Sequence, residues 1–134
     1  MKPGFLLMIG VFLLVSGCAQ LTAKNQESQL ENAVTQYGAA LRWGRVNEAY
    51  AFHRKRDGQQ PQADLTVFDH IGVTDFIPIN SIIEPDSNAA TITVEIDYFD
   101  KEYGNIKKIK ETELWWFDKD KKIWLIESDF PKFP

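Results

Sequence analysis

One cysteine and two histidines are all the soft metal-binding chemistry that this chain of 134 residues carries. A single thiol closes no intramolecular disulfide, so no covalent framework holds the fold. His53 and His70 stand far apart with no second cysteine, which excludes a zinc set, and no metal or cofactor is expected. The stretch "DKDKK" (118–122) begins like a calcium loop but lacks the glycine and the distal glutamate that such a loop needs. A glycine-rich phosphate cradle and a nucleophile elbow are also missing. So is any excess of positive charge: 15 Lys and Arg against 19 Asp and Glu leave a formal charge of −4, which excludes the basic face that nucleic acid requires. The one basic run, "HRKR" (53–56), reads as the charged end of a helix, where cations favour the negative pole of the dipole. No apolar run reaches the roughly 20 residues of a bilayer-spanning helix. The longest, residues 5–15, is about half that length.

That short run is informative because of what flanks it. Lys2 precedes it and small residues follow it, the parts of a secretory signal peptide. The exit, Val15-Ser16-Gly17-Cys18, resembles the lipobox of bacterial lipoproteins. The resemblance implies that diacylglycerol is attached to Cys18 and that the chain is cleaved before it, so residues 1–17 are a signal peptide. Each buried methylene contributes roughly 0.8 kcal/mol, so two or three acyl chains anchor firmly where one is marginal. Cys18 is thus the expected link to the membrane. Cleavage removes Lys2 and moves the formal charge to −5. Residues 18–27 are polar with little apolar periodicity and read as a tether, able to reach on the order of 30 Å when extended. Ala19 stands where an aspartate would resemble the inner-membrane retention signal of enteric bacteria. Its identity favours the outer membrane, facing the periplasm.

Residues 28–134 have the length of one domain. Leu30, Val34, Tyr37 and Leu41 follow helical steps of four, three and four, and Ala33 and Ala40 widen that face. Ser28 with Glu31 forms the pattern of a capping box, and Gly44 suits a left-handed helix exit. A second helix is expected over residues 46–54, ended by the turn-rich "RDGQQPQAD". Strands follow. The first, residues 70–83, is interrupted by Pro78, which marks a bulge or an edge. In "ATITVEIDYF", Ile92, Val94, Ile96 and Tyr98 alternate with Thr93, Glu95 and Asp97, the period of a half-buried strand. "IKKIKETELWWF" (106–117) and "KIWLIES" supply two more, joined by short turns at residues 100–105 and 118–121. Helices first and strands after make the class α+β, with N-terminal helices packed on an antiparallel meander of four or more strands.

"YGAALRWGRVNEAYAF", "ATITVEIDYF" and "ETELWWFDKDKKIWLIESDFPKF" together resemble small bacterial lipoproteins with a nuclear transport factor 2-like domain. The resemblance covers residues 28–134. It implies a curved sheet wrapped around the helices as a cone with a pocket at its open end, a fold shared by ketosteroid isomerase, scytalone dehydratase and many non-enzymatic binders.

Isomerase-like sites of that fold need a carboxylate and hydroxyl donors converging on an apolar pocket. Here alternation turns Asp97 away from Tyr98, and Tyr37 and Tyr50 lie on apolar helix faces, where a core tyrosine is the ordinary reading. His53 reads as a helix-end residue, and no catalytic residue is assigned. Trp115 and Phe117 must face away from Trp116, so one aromatic face is left for a ligand, a partner or the C-terminal "DFPKF". Tyr37, Trp43, Tyr50, Tyr98, Trp115, Trp116 and Trp124 are the expected packing, pocket or contact residues. The expected function is a non-catalytic, membrane-anchored binding module for an envelope protein, for itself as a homodimer, or for a small apolar ligand. The alternatives are a pocket enzyme of isomerase or dehydratase type and a structural subunit of an envelope complex.

Overall fold

The computed structural model describes the backbone of residues 4–86 and 88–134, and side chains from residue 22 onward within those bounds. Cys18 and the lipobox side chains lie outside the described residues. The first helix, α1, runs Gly4–Arg42. Ser28 therefore sits inside a helix and does not cap one, and the expected tether falls within the span of α1. The reason is local: residues 18–29 contain neither glycine nor proline, and alanine, leucine, lysine, glutamine and glutamate all propagate a helix well. In helical form ten residues span roughly 15 Å, half the extended reach. Among the described residues no helix is long and apolar enough to cross a membrane.

The apolar face of α1 is as the spacing predicts. Leu30, Val34, Tyr37, Ala40 and Leu41 are buried. The helix ends in a Schellman arrangement: Arg45 N–H reaches Ala40 O at 2.8 Å, Gly44 N–H reaches Leu41 O at 3.3 Å, and Gly44 takes φ +70°. The second helix, α2, covers only Val46–Ala51. It stops short of residue 54 because the chain there pairs with a strand instead: Arg54 N–H donates to Ile126 O and Ile126 N–H to Phe52 O, bracketing a parallel bridge at His53. A 3-10 turn, Leu65–Asp69, follows, capped by the Asp64 carboxylate, which accepts from Thr66 N at 3.0 Å.

Four strands complete the fold: β1 Ile71–Ile83, β2 Ala89–Asp100, β3 Ile106–Asp118 and β4 Ile123–Ile126. They pair antiparallel in the order β1-β2-β3-β4, an open sheet with β1 and β4 at its edges. The class is α+β. Ladder irregularities fall between Val73 and Asp75 and between Pro78 and Asn80, where the proline interrupts an edge strand. Alternation on β2 holds throughout, with Ala90, Ile92, Val94, Ile96 and Tyr98 buried against the helices. Opposite that row on β3 stand Lys107, Ile109, Glu111, Glu113 and Trp115; Trp115 and the next residue of its row, Phe117, pair in turn with Ile126 and Trp124 on β4. The C-terminal segment lies across the same side, where the Phe130 ring meets Tyr50, His53 and Phe68, and Phe133 meets Phe68 and Tyr98.

Candidate functional site

The most polar part of the interior is built by three elements. Tyr37 comes from the buried face of α1, His53 from the bridge after α2, and Glu113 from the helix-facing row of β3. They are 0, 1 and 3% exposed. His53 Nδ1 lies 2.9 Å from Ser128 O, and a carbonyl only accepts, so Nδ1 carries the proton. Nε2 of the neutral ring is then an acceptor, and the Tyr37 hydroxyl donates to it at 2.9 Å. Burial lowers the His53 pKa to about 4; the Ser128 carbonyl and Asp129 oppose that shift without reversing it. The Tyr37 pKa is raised by burial and by the nearby Glu113 and Glu111.

Glu113 is the odd member. Trp115 Nε1 donates to its Oε1 at 3.1 Å, while Oε2 has no hydrogen-bond partner among the described residues. Burial pushes its pKa up to about 8, against the lowering effect of the Trp115 bond and with help from Glu111. At neutral pH all three side chains are therefore uncharged. A protonated carboxyl beside a tyrosine and a neutral imidazole is competent to donate and shuttle protons. Access is what it lacks. The Tyr37 ring is met edge-on by Phe52, Phe76 and Trp115 at 5.7–5.9 Å, and Phe130 closes on His53 at 5.0 Å. A half-open cleft of about 560 Å³ between the end of α1, the 3-10 turn and β1 is lined by Leu41, Val46, Phe68 and Ile71, and none of the three polar residues borders it.

The expected contact residues divide between interior and surface. Trp115 is sealed in the core, and Trp124 is buried with its indole N–H on Gln26 O at 2.9 Å. Tyr98 is buried and bonds Pro134 O, and half-buried Tyr50 bonds Pro61 O, each at 2.5 Å. Trp116 does face away from Trp115. It is half-covered by the residues after α2, donating to Arg54 O at 2.8 Å with the Arg56 guanidinium 5.7 Å from its ring. Trp43 alone among these residues is fully outside, at 72% exposure. His53, read from the sequence as a helix-end residue, does follow the end of α2, and its ring is a buried core group bonded at both nitrogens. Glu113 carried no expectation, although its odd-numbered parity with Trp115 and Phe117 already places it on the inward row.

A second feature lies on the surface. Ile77, Ile79, Ile82 and Ile83, all on β1, are 37–61% exposed. They lie on an edge strand of the sheet. Neither a protein-family model, nor a curated protein, nor a solved structure matches this chain.

Proposed function

We propose that this chain is an acylated envelope lipoprotein, held by Cys18 at the periplasmic face of the outer membrane, whose nuclear transport factor 2-like cone acts as a non-catalytic interaction module. The observation that carries the non-catalytic part is the sealing of the interior: Tyr37, His53 and Glu113 are each at most 3% exposed, under a lid of aromatic rings. Reacting groups need a substrate within hydrogen-bond reach. Part of the open apolar surface lies on the edge strand β1, and a sheet edge is a place where proteins add a strand. The anchor rests on the sequence from Leu13 to Cys18. The order of helices first and then a four-stranded meander supports the cone.

Growth with radiolabelled palmitate tests the anchor. The full chain takes up label and Cys18→Ser does not; an unlabelled wild-type protein overturns the lipoprotein reading. Native mass spectrometry of the domain tests the rest. A co-purified small molecule in the interior, rather than an empty monomer, overturns the sealed-module reading. A pocket enzyme of isomerase type has one observation in its favour, the unpartnered oxygen of Glu113. It requires the C-terminal aromatics to move aside.

A further inference from the structure

A sheet edge presents unpaired N–H and C=O groups, and soluble proteins usually blunt it with charge, proline or a bulge. The edge strand β1 uses these devices only in its first two thirds. Asp75 carries charge, Pro78 removes a donor, and both ladder irregularities fall before Asn80. Ile79 is the extra residue of the second irregularity, and from residue 80 to residue 83 the strand runs in regular register with β2, from the Asn80–Thr93 pair to the Ile83–Ala90 pair. Residues 79–83, Ile-Asn-Ser-Ile-Ile, carry no charge, no proline and no glycine. Each is exposed. Among the described residues no strand pairs with their outer side. The length matches a typical strand.

Charge narrows what fits there. Residues 57–100, which include all of β1 and β2, hold nine Asp and Glu and no Lys or Arg. Lys108 on β3 offsets two of these, lying 3.1 Å from Glu95 and 3.9 Å from Asp97. Lys119 acts on Asp86. Asp75 before the open stretch shares that one lysine with Glu95 and Asp97, and Glu84 after the stretch shows no cation among the described residues. A second copy of β1 laid antiparallel would set Asp75 of one chain towards Glu84 and Asp86 of the other, and like charges facing across an interface exclude a partner. Strand addition takes its affinity from main-chain hydrogen bonds and its selectivity from side chains.

We infer that the outer edge of β1 at residues 79–83 captures an extended segment of another protein as a fifth strand, and that this segment is β-branched and apolar at its centre with Lys or Arg at both ends. The inference rests on the interaction-module reading above and gives it a partner chemistry.

The test uses the full chain and three labelled synthetic peptides. One is Lys-Lys-Val-Thr-Val-Thr-Val-Lys-Lys, the second has glutamates in place of its lysines, and the third is the lysine peptide N-methylated at alternate backbone amides. Fluorescence anisotropy should show saturable binding of the first, weakened by added salt as screening requires, and at least roughly tenfold weaker binding of the other two. Ile82→Lys, an exposed substitution on the edge, should abolish binding while leaving the thermal melt unchanged. Equal binding of the lysine and glutamate peptides, no binding of either, or full binding by Ile82→Lys overturns the inference. Concentration-dependent dimerisation in sedimentation, lost in Ile82→Lys, also overturns it and assigns the edge to a second copy. These outcomes are separable from failure of the broader reading: a palmitate-labelled protein that ignores the peptides sinks the fifth strand alone.

Discussion

The Phe76 ring on β1 occupies the space that a side chain on Gly38 would need, since a Cβ at residue 38 would lie 2.5 Å from Phe76 Cδ1. Phe76 is not free to swing away, because its other neighbour is the Tyr37 ring at 5.7 Å. Helix α1 can approach β1 this closely only where the helix lacks a Cβ. Two effects of Gly38→Ala oppose one another: helix propensity favours alanine by about 1 kcal/mol, and overpacking a filled site costs about 1–3 kcal/mol. The second should win. Gly38→Ala is expected to lower stability in urea unfolding, and Phe76→Leu in the same chain is expected to recover part of the loss. An alanine variant as stable as the parent would show that the contact yields freely.

How much of this was legible in the sequence depends on whether the cause was local. The alternation from Ala90 to Tyr98 and the exit at Gly44 were readable, because a strand facing a core and a left-handed cap each leave a short-range signature. The start of α1 was not. Ser28 and Glu31 make a capping pattern only if the upstream chain is non-helical, and nothing within that pattern records what lies upstream. His53 was hidden by its neighbours "RKR"; its burial is decided by Ile126 and Ser128, far along the chain. The open edge of β1 was obscured because the register shift after Pro78 resets the phase. Phe76 and Pro78 share a face with Ser81 and Ile83, which no period of two predicts.

The interior cluster makes stability depend on pH in a specific shape. His53 has its folded pKa depressed from 6.5 to about 4, so the unfolded chain binds more protons between those values and stability is lost as pH falls through that window. Glu113 has its folded pKa raised from 4.5 to about 8, so the folded chain holds the extra proton and stability is lost as pH rises from 4.5 to 8. The two oppose each other between 4.5 and 6.5. Above 6.5 only Glu113 remains, and a fall of order 2 kcal/mol is expected by pH 8. Urea titrations across pH 4–9 should therefore show a plateau near pH 5–6 with losses on both sides. Glu113→Gln should flatten the alkaline side and leave the acid side in place. An alkaline limb that survives in Glu113→Gln would assign it to another group.

Adjacent tryptophans on β3 give the sharpest check on which side of the sheet is the core. Trp115 is 1% exposed, packs edge-on against Tyr37 and Phe52, and supplies the one hydrogen bond that the Glu113 carboxyl makes among the described residues. Its removal leaves a cavity and an unpartnered buried carboxyl together. Trp115→Ala should cost about 3–5 kcal/mol, the range for a large aromatic lost from a core, and in a domain this small that approaches the whole of the folding free energy. Trp115→Phe keeps most of the volume and isolates the lost indole N–H, at about 1–3 kcal/mol. Trp116 lies on the opposite face, half-covered by the Arg54 carbonyl and the Arg56 guanidinium. A cation–π contact at a partly exposed site is worth about 0.5–1 kcal/mol, so Trp116→Ala should cost clearly less than Trp115→Ala. Equilibrium unfolding of the three variants measures the order directly. If Trp116→Ala proves the more damaging, the helices pack on the other face of β3 and the sealed cluster around Tyr37 is wrongly placed.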